Sequence, residues 1–334
     1  MQQNGKIPVI VIFAPTATGK TALALDFFGT GSHSFFKGKG ELISADSMQV
    51  YKKLDIGTAK PTADERSLLF HHLVDVVDYN TQFTVNDFVK KADELCADIY
   101  SRGKIPLVVG GTAFYIKNFL LGEAQTPESD PVLREKLKNR WETEGKEALY
   151  MELKTVDPES ASKIDKNDEF RVVRALEIFY LTGKVRSEFS QSETLREKYD
   201  FLTFILERDR KELYQRIEDR VDQMFSDGLA REVFSLIRDG AESEMPGMKA
   251  IGYREWFNYL DEKSDSRGVS VFENPEVIEK VKREIKHSSK KYAKKQYTIM
   301  KNIPGAVYVS MDNKDEAYST IYKLTGDFLK KIGF

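Results

Sequence analysis

Residues 7–21 read IPVIVIFAPTATGKT, and this stretch decides the fold. Its first eight residues, 7–14, are apolar and rich in β-branched side chains, which predicts a strand buried on both faces. Pro15 ends the strand, and Thr21-Ala-Leu-Ala-Leu-Asp26 consists mostly of good helix formers, so the chain reads strand, tight loop, helix. The loop between them, residues 14–21, fits the phosphate-binding pattern with Ala14 standing where the first glycine is usual. Such a loop turns backbone N–H groups and a helix N-terminus toward phosphate oxygens. Ala14, Pro15, Thr16, Ala17, Thr18 and Gly19 would form the cradle, Lys20 would add a point charge, and the Thr21 hydroxyl would suit Mg2+. Ala14 is compatible with this role if its backbone angle is one that an L-residue adopts.

Working outward, residues 41–45, 72–77, 105–109, 201–206 and 306–311 read as further strands. The stretch from Gly29 to Gly40 is rich in Gly and Ser and is expected to be mobile. From Thr84 the apolar spacing becomes helical, with a Thr84/Asp87 capping box, and it places Cys96 on the apolar face as a core side chain. Strands alternating with helices predict an α/β fold, a P-loop doubly wound parallel sheet. After Gly122 about 75 residues show no strand, while Asp130-Pro131, Asp157-Pro158 and Asn167-Asp168 each start a helix, the last closed by Gly183. The expected organisation is a core over residues 1–123 and 200–334 with an all-helical insertion over 124–199. A closing amphipathic helix spans about 315–330.

Composition narrows the class. The chain has 334 residues, which allows about two domains, and its 41% hydrophobic and 31% charged content is that of a globular protein. No apolar run is long enough for a membrane helix, and no export signal is evident, so a cytoplasmic, membrane-free location is expected. One cysteine and four histidines exclude an internal disulfide and the common structural zinc sites. A net charge of -2 decides nothing about nucleic acid, because distribution sets the field that a polyanion feels. That distribution is uneven: residues 280–301 carry nine Lys or Arg against the single acid Glu284. Val281, Ile285, Ser288, Tyr292 and Ile299 are expected to form the apolar back of this basic helix, which favours phosphate contact on its other side.

The phosphate loop leaves the reaction open, so a second group has to be found. Asn313-Lys314-Asp315 has the wrong spacing for a guanine-binding switch, and no acid follows the apolar run Leu107-Val108-Val109. Asp46, at the end of the second strand, is the best carboxylate, since strand ends on the loop side form the ligand crevice of doubly wound sheets. It would point at Lys20, or merely cap the next turn. Arg216 and Arg220 lie one helical turn apart on one face and would form either a solvated basic stripe or a functional pair of cations.

Six blocks then occur in a telling order: Ala14-PTATGKT, Ile43-SADSMQVYKKLDIGTAKP, Val108-VGGTAFYIK, Asn167-DEFRVVRALE, Gln215-RIEDR with Gly228, and Lys249-AIGYREW. Together they resemble the bacterial tRNA dimethylallyltransferases over nearly the whole chain. The resemblance implies transfer of a dimethylallyl group from dimethylallyl diphosphate to N6 of the adenosine just 3′ of the anticodon, with no nucleotide hydrolysed. It implies that Asp46 is the general base, that Thr112 supplies a hydroxyl at the reaction centre, and that Arg220 contacts the diphosphate with the loop and Mg2+. The implied partner is the tRNA anticodon stem-loop, bound by a monomer whose helical insertion takes part. Its implied contacts are Asp46, Ser47, Met48, Gln49 and Thr112 around the cleft, then Arg134, Phe170, Arg171 and Arg174 in the insertion. Further along they are Lys249, Gly252, Tyr253 and Arg254, and finally Lys290, Lys291, Lys294, Lys295 and Gln296. Lys290, Lys295 and Ile299 stand where family members often carry arginines and a tryptophan, so charge is kept while bidentate geometry is lost. The alternatives are a small-molecule or nucleotide kinase with the insertion as a lid, and an RNA-binding NTP switch.

Overall fold

The apolar run at residues 7–13 forms β1 (Ile7–Phe13), buried in all but its first residue. The structure is a computed structural model that describes residues 5–189, 191–260 and 269–334. After β1 come α1 (Lys20–Phe28), β2 (Gly40–Ser44), α2 (Ala63–Leu68), β3 (His71–His72), α3 (Val85–Ser101), β4 (Ile105–Gly110) and α4 (Ala113–Leu121). The helical stretch holds α5 (Pro131–Glu144), α6 (Lys146–Val156), α7 (Pro158–Lys163) and α8 (Glu169–Thr182). Then follow β5 (Tyr199–Glu207), α9 (Arg210–Ser226), α10 (Leu229–Arg238), α11 (Arg254–Phe257), α12 (Val269–Glu273), α13 (Pro275–Ile299), β6 (Val307–Ser310) and α14 (Lys314–Lys331).

All strand pairs are parallel, in the order β3-β2-β4-β1-β5-β6. The chain leaves β1 toward β2 and β4 on one side and later returns to β5 on the other. The carboxyl end of β1 is therefore the switch point, where doubly wound sheets bind ligands. Alternate side chains divide between the two faces: Ile10, Ile12, Leu42 and Leu107 pack with α1 and α14 in one core, which takes in Phe28 and Phe328.

Several local features follow the sequence. Thr84 and Asp87 form the reciprocal capping box of α3, and Cys96 is fully buried on its inner face. Asp130, Asp157 and Asp168 cap α5, α7 and α8, and Gly183 ends α8 in the left-handed conformation that glycine adopts without strain. Two expectations are corrected. The third strand is a stub of two residues, because Leu73 and Asp75 take left-handed angles (φ 61° and 60°) that break the ladder; only an isolated bridge from Tyr51 to Val77 remains. The Gly29 to Gly40 segment is anchored, not loose: Phe36 is 1% exposed, stacked on Phe28 at 5.7 Å and against Tyr322 at 4.8 Å.

Leu121–Leu195 form one compact unit, and the sheet with its helices forms the other. The helical unit has its own core, in which Leu137, Leu149, Leu153, Val172 and Leu176 are buried. Residues 196–198 lie with the sheet, leading into β5.

Candidate active site

The phosphate loop runs from the end of β1 into α1, and its shape is set by two left-handed residues. Gly19, which caps α1, has φ 108°, and Ala17 has φ 64°; Ala14 lies outside the left-handed region, so its Cβ is tolerated. No side chain caps α1, which leaves its first-turn N–H groups open to an anion. The loop's carbonyls are tied the other way. Arg216 Nε donates to the Ala17 oxygen at 2.8 Å, and Arg208 donates to the Thr18 oxygen at 3.2 Å. Arg216 is thus a brace of the loop, a role that sequence spacing did not suggest.

A cleft of about 540 Å³ opens beside the loop. Thr16, Lys20, Thr21 and Asp46 line one side. Ile217, Val221 and Met224 of α9, with Ile251 and Ile285, give it an apolar wall, and Arg220 projects among them. Burial first, and then the like charge of Arg220, push the Lys20 ammonium down to about 8, while Asp46 pulls it back up. Burial also lowers Arg220, and Asp46 again opposes the shift. Asp46 therefore acts electrostatically on both cations of the cleft. It also caps the turn that follows: Oδ1 accepts from the Met48 N–H at 3.0 Å and, more weakly, from Gln49 at 3.4 Å. Asp46 thus lines the same cleft as Lys20 and at the same time caps the turn after β2 through a single oxygen, Oδ1.

The paired glycines after β4 are explained by close approach. A Cβ on Gly110 would lie 2.1 Å from the Ala45 carbonyl oxygen, and one on Gly111 would lie 2.9 Å from Gln296 Nε2 and 3.7 Å from Lys20 Nζ. Thr112 is buried beside them. Its Oγ1 accepts from the Ser47 N–H at 2.9 Å and donates to the Ser47 hydroxyl at 3.2 Å. Gln296 donates from Nε2 to the Gly111 carbonyl, and its buried Oε1 has no hydrogen-bond partner among the described residues. Although the Tyr292 side chain is partly exposed, desolvation of its hydroxyl, and then the charge of Asp46, push this phenol up to about 12.

The wall over residues 55–60 is held from two sides. Gln49 Nε2 donates to the Thr58 and Ala59 carbonyls at 3.3 and 3.1 Å. From α10, Glu232 accepts from the backbone N–H groups of Asp55, Ile56 and Gly57 at 3.1, 2.8 and 3.2 Å, and from the Tyr253 hydroxyl at 2.5 Å. Gly57 must be glycine here, since a Cβ would meet the Tyr253 ring at 2.4 Å. Glu232 was not found from the sequence, because its three backbone partners lie about 175 residues earlier in the chain. Tyr253 is fully buried and Gly252 takes a left-handed angle (φ 103°), whereas Lys249 and Arg254 are half exposed and line the cleft.

The basic helix is α13. Val281 and Ile285 are buried as expected, but Tyr292 and Ile299 are more than a third exposed, and Ala293 and Gln296 complete the inner face instead. Lys282 and Lys286 both pair with Asp222 of α9, at 2.8 and 2.7 Å, and Lys290 pairs with Glu218. Lys291, Lys294 and Lys295 are exposed. In the helical unit, Arg174 and Arg134 both pair with the fully buried Glu177, at 2.7 and 2.8 Å. Arg171 pairs with Asp168 at 3.3 Å. Phe170 is 69% exposed, with the Arg134 guanidinium 5.8 Å from its ring.

Known proteins resemble this chain in sequence and fold. The IPP transferase family profile matches residues 49–303. A tRNA dimethylallyltransferase from a Sulfurihydrogenibium species is 44% identical over 88% of this chain and 89% of its own length. A tRNA dimethylallyltransferase from Trichlorobacter lovleyi is 39% identical over 96% and 98%. Among solved structures, the full-length tRNA isopentenylpyrophosphate transferase of Bacillus halodurans superposes with a TM-score of 0.66 at 33% identity, covering 98% of both chains. A eukaryotic dimethylallyltransferase described as acting on tRNA superposes with a TM-score of 0.78 at 29% identity, covering 97% of this chain and 80% of that one. With the phosphate loop, Asp46 and the paired glycines brought to one cleft and these relatives matching almost end to end, the chain belongs to the IPP transferase family.

Proposed function

We propose that this chain transfers the dimethylallyl group from dimethylallyl diphosphate to N6 of the adenosine just 3′ of the anticodon in tRNA, releasing diphosphate. The observation that carries this reading is Asp46 opening onto the same cleft as Lys20 and Arg220. The diphosphate sits on the loop N–H groups, Lys20 and Arg220, and the isoprenoid chain lies on the wall of Ile217, Val221 and Met224. The C1–O bond of the donor breaks as the N6–C1 bond forms, and the negative charge that builds on the leaving diphosphate meets fixed cations. The N6 proton passes to Asp46, because an exocyclic amine is a weak nucleophile until that proton has an acceptor.

Mg2+ fits this site through the Thr21 hydroxyl, which lines the cleft next to Lys20. Among the described residues no group of three His, Cys, Asp or Glu side chains suits a metal, so the ion would take its other ligands from diphosphate oxygens and water. When bound it neutralises charge on the leaving group.

For tRNA, the reading assigns base contacts to Ser47, Met48 and Gln49 and stacking to exposed Phe170, with Arg134, Arg171 and Arg174 around it. The reacting base is swung out of its stack to reach the cleft. Lys249 and Arg254 would take phosphates at the cleft mouth, and Tyr253 and Gly252 support the wall behind them. Incubation with a tRNA transcript and labelled dimethylallyl diphosphate in the absence of ATP tests the proposal, and label in the tRNA is the expected result. Phosphate transfer from ATP to a small acceptor, or nucleotide-dependent tRNA binding with no covalent mark, would contradict it.

A further inference from the structure

One end of the cleft is polar. Leu42 pairs with His71 in the parallel register of β2 and β3, and Ser44, on the same face of β2, leads from there toward Asp46. Ser44, Gln49, Lys60, Glu65 and His71 line the cleft at this end, in contrast to the apolar wall from α9. With one exception these groups are engaged within the protein. Ser44 Oγ donates to Gln49 Oε1 at 3.0 Å, and Gln49 Nε2 holds the Thr58 and Ala59 carbonyls. Lys60 pairs with Asp55 at 2.7 Å and with Asp75, and Glu65 accepts from the Thr62 N–H at 2.8 Å. The exception is His71. Its Nδ1 lies 2.6 Å from the Leu69 carbonyl oxygen and must donate there, which leaves Nε2 as an acceptor. Nε2 is buried and has no hydrogen-bond partner among the described residues. Burial lowers the imidazole more than the Leu69 carbonyl and Glu65 raise it, so the ring stays neutral and Nε2 keeps its lone pair.

A buried acceptor is costly to leave unpaired, and a dimethylallyl chain, which carries no donor, does nothing for it. We infer that the cleft also takes a five-carbon allylic diphosphate bearing a hydroxyl on a terminal methyl, with His71 Nε2 accepting from that hydroxyl. This deepens the proposed transfer and rests on it. The reaction itself is unchanged: the C1–O bond of the donor breaks, the N6–C1 bond forms, diphosphate leaves and the N6 proton goes to Asp46. The hydroxyl stays on the chain as a spectator. Ile217, Val221 and Met224 take the apolar part of the chain, and His71 adds one directional contact to it.

The test is a ratio. Transfer to a tRNA transcript is measured with dimethylallyl diphosphate and with each isomer of 4-hydroxydimethylallyl diphosphate. Dividing kcat/KM for the hydroxylated donor by that for the plain one cancels general damage to the enzyme. The wild type is expected to transfer from at least one isomer. H71N keeps an N–H for the Leu69 carbonyl but has no atom at the place of Nε2, and its ratio is expected to fall about tenfold. H71Q, which reaches that place with an amide, is expected to recover part of the loss. A wild-type enzyme that transfers from neither isomer, or a ratio that H71N leaves unchanged, would overturn the inference. Thermal unfolding checks each variant; if H71N unfolds, H71F, which fills the same space without an acceptor, is judged by the same ratio. Failure of the wild type to transfer from dimethylallyl diphosphate itself would instead count against the proposed function.

Discussion

Arg216 reaches from α9 to the phosphate loop, where its Nε donates to the carbonyl of Ala17 at 2.8 Å, the residue held at φ 64°. A left-handed alanine costs about 1 kcal/mol, and an outside hydrogen bond to its carbonyl offsets that strain. The bond also keeps the carbonyl turned away, so that the neighbouring N–H groups stay directed at the anion. Arg216→Ala is therefore expected to raise KM for the diphosphate donor about tenfold, the equivalent of about 1.4 kcal/mol, with KM for tRNA little changed. Steady-state kinetics with each substrate varied in turn would check this. An unchanged donor KM would remove Arg216 from its bracing role.

The cluster of Glu232, Tyr253 and Gly57 makes a prediction about stability. Glu232→Ala strips the acceptor from three backbone N–H groups and a buried phenol, at a cost of about 2–3 kcal/mol. Gly57→Ala should cost at least as much, because its new Cβ meets a buried ring with nowhere to move. Denaturant midpoints measure both. A wild-type midpoint in either variant would mean that the 55–60 wall is held by other contacts.

Lys20 gives the cleft a pH dependence whose sign is fixed. Its ammonium is lowered from 10.5 to about 8 in the free protein, and a diphosphate favours the charged form. Donor affinity should hold below pH 8 and then weaken by up to tenfold per pH unit above it, as binding must first restore the proton. The same shift means that the unfolded chain binds more protons than the folded one between pH 8 and 10.5, so this group makes stability rise with pH in that window. Donor affinity measured from pH 7 to 9.5 is expected to show the step in the wild type and to lose it in Lys20→Met. A step of the same size in Lys20→Met would assign it to another group.

Cys96 is expected to be inert in the folded protein. Burial raises its thiol far above the ordinary range, and the nearby Asp93 carboxylate adds to the effect. Thiol reagents should label it only as the chain unfolds, with the labelling curve following the denaturation curve. Rapid labelling under native conditions would contradict its place on the inner face of α3.

How much of this the sequence discloses depends on how local each signal is. The strand, loop and helix around Lys20, the capping boxes and the acid at Asp46 are written in contiguous residues, and their readings carry through to the structure. What the sequence hides is set by partners far away in the chain. Arg216 looks like a solvated arginine until Ala17, 199 residues earlier, is placed against it. The lysines of α13 look alike until α9 supplies Asp222 to Lys282 and Lys286 and Glu218 to Lys290. The truncation of β3 turns on two left-handed residues that have side chains, Leu73 and Asp75, which no glycine marks in advance. The anchoring of the Gly29 to Gly40 segment turns on Phe36, which is buried while its neighbour Phe35 is exposed, a difference that the sequence does not mark.

The central claim is that Asp46 accepts the proton from the RNA amine in the cleft where Lys20 and Arg220 hold the diphosphate. The measurement that tests it most directly is single-turnover transfer of labelled dimethylallyl to a tRNA transcript by Asp46→Asn, which keeps the shape and the cap to Met48. The account predicts that label incorporation falls by about a thousandfold or more while tRNA affinity stays within a few-fold of wild type. Transfer at close to the wild-type rate would contradict it.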